Sequence, residues 1–143
     1  MEKDWEPVSV EENYTIDIGY PLPTNCYLDM VDETNCIWDW KTQAKKGTIQ
    51  AGIQDMFYSK AYEAKWGVRP SFKYCCFILT KEPKTDIQII EPIQDYSILD
   101  RYVEAYLKGV ENNVFLPASK FDYMCSENMC PFYRACEYKT NRK

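Results

Sequence analysis

The sequence contains no histidine. That removes Ser-His-Asp and Cys-His catalysis, and with them any zinc site built on imidazole. No run of about eighteen apolar residues occurs, so no segment reads as a transmembrane helix. Nor does the chain open like a secretory leader, because Met1-Glu2-Lys3-Asp4-Trp5-Glu6 is polar and acidic. No internal repeat and no low-complexity linker is present. What remains is 143 residues with 45% hydrophobic content, enough for a packed core and sized for one domain, 1–143. The seven cysteines are odd in number in a chain that reads as cytoplasmic. Metal binding is then the better expectation than disulfides.

Positive charge is nearly missing from the first forty residues, which hold one Lys against ten acids. Residues 41–84 reverse this, with nine basic residues against three acidic ones. Residues 85–143 return to a slight acidic excess, seven basic against nine acidic. The net charge of −5 argues against a nucleic-acid partner, whereas the basic block suits a phosphate backbone. The block also fits a plain solvated helix face.

Val8, Val10, Glu12, Tyr14, Ile16 and Ile18 stand at alternate positions, predicting a strand of about ten residues. Gly19-Tyr20-Pro21-Leu22-Pro23 breaks it. Two apolar runs, Cys26–Val31 and Cys36–Lys41, flank the polar stretch Asp32-Glu33-Thr34-Asn35 and predict a hairpin. A helix is expected from Gly47-Thr48 to about Trp66, with Ile49, Ile53, Phe57, Ala61 and Ala64 at helical spacing and Gly67 as its stop. Ser71–Thr80 reads as a buried strand, Lys81–Lys84 as a turn, and Ile87–Pro92 as a further strand. A second helix is expected over Tyr96–Asn113, burying Ile98, Leu99, Tyr102, Val103, Tyr106, Leu107 and Val110. Sheet and helices thus occupy 8–113, and a cysteine-rich tail without clear periodicity occupies 114–143. The fold class is α/β (α+β), a mixed sheet of about five strands flanked by two long helices.

Three features carry chemistry. Each hairpin run bears one Asp that its apolar surroundings do not explain, Asp29 and Asp39. Residues two apart on a strand share a face, so Asp39 and Lys41 project together, and Asp29 reaches that face from the neighbouring strand. Two carboxylates and an ammonium there can hold a hard divalent cation and a phosphate oxygen; a solvated hairpin with chance charges is the bland alternative. Next, Gln54 and Tyr58 lie four apart on one helix face, which follows the Asp39-Lys41 strand after a short loop. That pair suits a phosphate or a base. Last, Cys125, Cys130 and Cys136 give C-x4-C-x5-C in the tail, a spacing that suits an iron–sulfur cluster or zinc. Either wants a fourth ligand, which the chain does not supply well. Cys26 and Cys36 lie in the hairpin, and the adjacent Cys75 and Cys76 face opposite sides of a strand.

Taken together, Asp29, Asp39-Trp40-Lys41 with Thr42, Gln54-x3-Tyr58 and the terminal cysteines resemble the RecB-like branch of the PD-(D/E)XK nuclease superfamily, over about residues 8–138. The resemblance implies a restriction-endonuclease-like mixed sheet and a divalent-metal site for cleaving DNA, as an exonuclease. It implies Mg2+ or Mn2+ held by Asp29, Asp39 and the Trp40 backbone carbonyl, with Lys41 orienting water or neutralising the phosphorane. Gln54, Tyr58, Lys45 and Lys46 would contact DNA. A [4Fe–4S] cluster, or Zn2+ in its place, would tie down the tail. The family's metal site is usually completed by a His or Glu on an N-terminal helical segment, where its first cluster Cys also lies. This sequence starts at its first strand, and its x4 spacing is wider than the family's x2. The expectation is therefore the C-terminal part of such a nuclease, completed by a separate segment or chain carrying a His or Glu and a fourth Cys. The alternatives are an inactive nucleic-acid-binding module of the same fold, and an interaction protein whose cysteines bind zinc.

Overall fold

The computed structural model describes residues 6–114 and 125–136. The chain comprises two compact units, Met1–Val103 and Glu104–Lys143. The first carries strands β1 (Pro7–Ile16), β2 (Thr24–Asp32), β3 (Cys36–Gln43), β4 (Ser71–Ile78) and β5 (Lys84–Ile90), with helix α1 (Ile53–Trp66) between β3 and β4. Helix α2 (Ser97–Glu111) begins in the first unit and ends in the second.

The sheet runs β1-β2-β3-β4-β5. Its pairs are antiparallel except β3 with β4, which are parallel because α1 carries the chain back across the sheet. It is thus the mixed five-stranded α+β sheet that the sequence predicts. Alternation along the strands sorts side chains to two faces. Leu28, Ile37, Phe72, Tyr74 and Cys76 form the larger core with Ala61 and Tyr62 of α1. Met30, Cys36, Trp38 and Cys75 form a smaller cluster. Burial pushes all four strand thiols upward, so Cys26, Cys36, Cys75 and Cys76 are protonated core groups.

The hairpin turn is held by Asp32. One carboxylate oxygen accepts from the Thr34 amide (2.9 Å), the Thr34 hydroxyl (2.6 Å) and the Cys36 amide (3.1 Å). The other accepts from Trp38 Nε1 at 2.8 Å. Asn35 closes the turn in the left-handed region (φ 59°), a conformation that Asn tolerates. Burial alone would raise the Asp32 carboxyl, but its donors outweigh that and hold it below the ordinary value.

Three elements differ from expectation. Strand β5 runs Lys84–Ile90, beginning in the expected turn rather than at Ile87 and ending before Pro92. Helix α1 starts at Ile53, not at Gly47-Thr48. Residues 47–52 stay outside the helix, where Gln88 of β5 ties them down, donating to the Gly47 carbonyl and accepting from the Ile49 amide, both at 2.8 Å. The helix begins where Asp55 Oδ2 takes the Gly52 amide (2.7 Å), and it ends at Gly67, whose φ of 70° permits the closing bond to the Glu63 carbonyl. On α2 only Leu99 of the expected apolar face is buried. Ile98 and Tyr102 are 53% and 62% exposed, Tyr106 and Val110 are exposed, and Val103 and Leu107 are half-buried. The helix docks through its first turn, where Asp100 accepts from Tyr20 and Lys60. Periodicity shows an apolar stripe; among the described residues, burial reaches only its first turn, at Leu99.

Asp32→Ala should cost roughly 3 kcal/mol, since it strands the buried Trp38 and Cys36 N–H groups. Because the folded carboxyl sits below its ordinary value of 3.8, its contribution is present above that pH and is lost as pH falls through the folded value. Urea melts of wild type and Asp32→Ala should therefore differ at pH 7 and converge towards pH 2.

Candidate active site

The β2–β3 ladder pairs Val31 with Ile37 and Met30 with Trp38, and goes no further towards the end of β3. At the next position Asp29 replaces the missing backbone partner, its Oδ2 accepting from the Trp40 amide at 2.8 Å. In a strand the N–H and C=O of one residue face the same neighbour, so the Trp40 carbonyl faces the same gap. The two strands open around a carboxylate.

Asp39 lies beside this gap, 4% exposed on the α1 side of the sheet, with Tyr74 as its neighbour across the parallel ladder. Lys41, two residues on, puts Nζ 2.7 Å from Asp39 Oδ2. The approach is an ion pair outside hydrogen-bond geometry, so Asp39 Oδ2 has no hydrogen-bond donor among the described residues. Gln54, in the first turn of α1, spans the pair. Its Nε2 donates to Asp39 Oδ1 and to the Tyr58 hydroxyl, both at 3.3 Å, and its Oε1 accepts from Lys41 at 3.4 Å. Asp29, Asp39, Lys41, Gln54 and Tyr58 thus lie within one neighbourhood.

Behind them is a pair that periodicity does not reveal. Asp55 is fully buried and accepts from the Tyr74 hydroxyl while capping α1. This ties the first turn of the helix, and so Gln54, to the strand beside Asp39. An acid three residues into a helix after Gly is a capping signal and could have pointed to Asp55. Nothing in the sequence points to its Tyr partner.

Burial pushes the Asp39 carboxyl up, opposed by the Lys41 ammonium and reinforced by the charges of Asp29 and Asp55. Burial and the bond to Asp55 raise the Tyr74 hydroxyl too, so it stays a donor.

Lys45 and Lys46 are exposed in the segment after β3, and Lys46 is ion-paired with Asp86 at 2.7 Å. The cysteine segment is folded into successive turns, the Cys130 amide bonding the Ser126 carbonyl and the Cys136 amide the Tyr133 carbonyl. Cys125, Cys130 and Cys136 are each half-buried, and no group of three metal-ligating side chains forms among the described residues.

Asp39 carries the opposite pH signature to Asp32. Its folded carboxyl lies above the ordinary 3.8, so its favourable contribution is present below that pH and is lost as pH rises through the folded value. The ionised form therefore burdens the fold relative to the protonated one. Asp39→Asn should then stabilise the protein by on the order of 1 kcal/mol at pH 7, as often happens at sites shaped for activity. The gain should shrink towards pH 4 in urea melts; a loss of stability at pH 7 would contradict it.

A family model described as the PD-(D/E)XK nuclease superfamily matches residues 1–137. Among curated proteins, none matches. Among solved structures, a crystal structure from Eubacterium rectale described as a putative exonuclease shares the fold with a TM-score of 0.58 at 17% identity. The likeness covers 94% of this chain and 53% of that one, so the chain spans about half the length of that protein. The five-stranded mixed sheet, the D-x-K strand at its opening and a family match over nearly the whole length converge: this chain belongs to the PD-(D/E)XK nuclease superfamily.

Proposed function

We propose that the chain is the core of a RecB-type, divalent-metal-dependent nuclease that hydrolyses phosphodiester bonds in DNA as an exonuclease. The observation carrying this reading is the span of Gln54 across Asp39 and Lys41, beside the carboxylate of Asp29 at the end of the β2–β3 ladder. Superfamily membership supports a nuclease. The description of the Eubacterium rectale protein favours the exonucleolytic form.

The donor set fits a hard divalent cation, Mg2+ or Mn2+. Asp39 Oδ2 is buried without a hydrogen-bond donor, the Trp40 carbonyl faces the gap, and Asp29 lies across it. All are oxygen donors, and the Lys41 ammonium beside Asp39 Oδ2 shows that the position attracts positive charge. A cation held by Asp29, Asp39 and the Trp40 carbonyl would acidify a water and polarise the scissile phosphate. A further ligand, the His or Glu that the family resemblance places on an N-terminal helical segment, belongs to this reading.

Lys41 would leave Asp39 for a phosphate oxygen as negative charge builds there, and Gln54 would keep it in place during that shift. Gln54 also holds Asp39 Oδ1, which leaves Oδ2 to the Lys41 ammonium or to a cation in its place. The hydroxyl of Tyr58 accepts from Gln54, which leaves its own proton to offer to a phosphate oxygen.

Asp39→Ala and Lys41→Ala should each abolish Mg2+- or Mn2+-dependent cleavage of linear DNA while circular dichroism shows the fold retained. Gln54→Ala should slow cleavage about ten- to a hundredfold, as misplacement of reacting groups does. Undiminished cleavage by the Asp39 or Lys41 variant would end the catalytic reading. DNA binding without cleavage in the wild type would favour the inactive module.

A further inference from the structure

Ion pairing rearranges the basic block of residues 41–84. Lys41 is held by Asp39, Lys60 by Asp100, Lys65 by Glu12 and Arg69 by Glu63. Lys73 lies over the Trp38 ring at 4.5 Å, and Lys46 is taken by Asp86. Three basic residues of the block, Lys45, Lys81 and Lys84, have no ion-pair or ring partner among the described residues. All three line a single surface depression, with Lys46, Thr80 and Glu82.

The sheet register explains the convergence. Gln43 pairs with Ile78, and Ile78 pairs with Lys84, so the end of β3 lies two strands from the start of β5. That is about 10 Å at the usual strand spacing. Lys45 follows β3 directly, and Lys81 sits in the turn between β4 and β5. The turn is fixed by the Leu79 amide on the Gln43 carbonyl (2.8 Å) and by the Thr80 hydroxyl on the Glu82 carbonyl (2.7 Å). The ammonium groups are exposed on long stems. They meet one neighbouring carboxylate of their own turn, Glu82, while Asp86 is occupied by Lys46.

We propose that Lys45, Lys81 and Lys84 form a second contact for the phosphate backbone of nucleic acid, beyond the end of the strand that carries Asp39 and Lys41. The surface rests on the nuclease reading for its purpose, but not for its binding. Lys45 lies four residues beyond Lys41 and past the end of β3 at Gln43, so at most about 13 Å separates them. At about 3.4 Å per nucleotide along one strand of a duplex, the contact falls within about four nucleotides of the phosphate placed at Lys41. Lysines suit this task because they neutralise phosphate as point charges and read no sequence. Lys81 and Lys84 would therefore hold the substrate in register whatever its bases.

The test is binding of the full chain to a fluorescent duplex of about 30 base pairs, in chelator so that no cleavage occurs, over a range of salt. Lys81→Glu with Lys84→Glu is compared with a charge-matched control on α2, Arg101→Glu with Lys108→Glu. The turn variant should bind at least tenfold more weakly. Its plot of log affinity against log salt should be shallower by about two, one unit for each phosphate that is no longer neutralised. The control should stay within twofold of wild type with an unchanged slope. An equal weakening in the control would show an effect of net charge alone and overturn the proposal, as would an unchanged slope in the turn variant. Weakened, shallower binding by the turn variant supports the surface even if Mn2+ produces no cleavage, so this proposal and the nuclease reading fail separately.

Discussion

The structure turns on the point where the β2–β3 ladder stops. Up to Met30 and Trp38 the hairpin is paired backbone to backbone. One residue further, a side-chain carboxylate stands in for the carbonyl that the Trp40 amide would otherwise find. An unpaired amide at this position would be costly, and Asp29 removes that cost while bringing a negative charge to the opening. Because β3 goes on to pair with β4 through Gln43, the strand does not fray as β2 departs. A buried Asp39 is thereby held on a rigid element, one face of which opens on a gap.

Two carboxylates on this hairpin, seven residues apart, show opposite physics. Asp32 is surrounded by four donors and is stabilised as an anion. Asp39 is equally buried, but one of its oxygens has an ion-pair neighbour and no hydrogen bond. The first is the arrangement of a turn that only has to hold. The second is an anion held by one movable ammonium and one amide, a condition in which a cation can take the ammonium's place. Composition alone would not separate them.

Much of this was legible from the residues and some was not. The period-2 pattern located the strands, and the spacing of Asp39 and Lys41 placed both on one face because strand alternation is set by backbone geometry. The start of α1 was not legible. Ile49 continues the helical spacing back from Ile53, while the bond that holds Ile49 outside the helix comes from Gln88, far along the chain. The exposure of Ile98 and Tyr102 escaped for a similar reason, since a stripe of apolar residues carries no information about which of them meets the sheet. Asp55 and Tyr74 meet only through the crossover, so their pairing is a property of the topology. The basic block misled in its extent. Its acidic partners Glu12 and Asp100 lie outside the block, one on β1 and one on α2, and a count along the chain cannot see them.

That pairing narrows what the surface can do. Nine basic residues in the block suggest a broad positive face, yet five of them are ion-paired and a sixth, Lys73, lies over a ring; two of the pairs, Lys65 with Glu12 and Lys60 with Asp100, join α1 to β1 and α2. Exposed pairs of this kind contribute little stability each, but they cancel local potential whether or not they stabilise. The uncancelled charge then collects where the sheet register brings the end of β3 close to the β4–β5 turn. The same parallel step that carries the chain from β3 through α1 to β4 sets Gln54 over Asp39 and Lys41 on one side, and aligns Gln43 with Ile78 at the strand ends. Site and charge patch therefore share one strand as their ruler. A shift of register between β3 and β4 would displace both together and could not preserve one at the expense of the other.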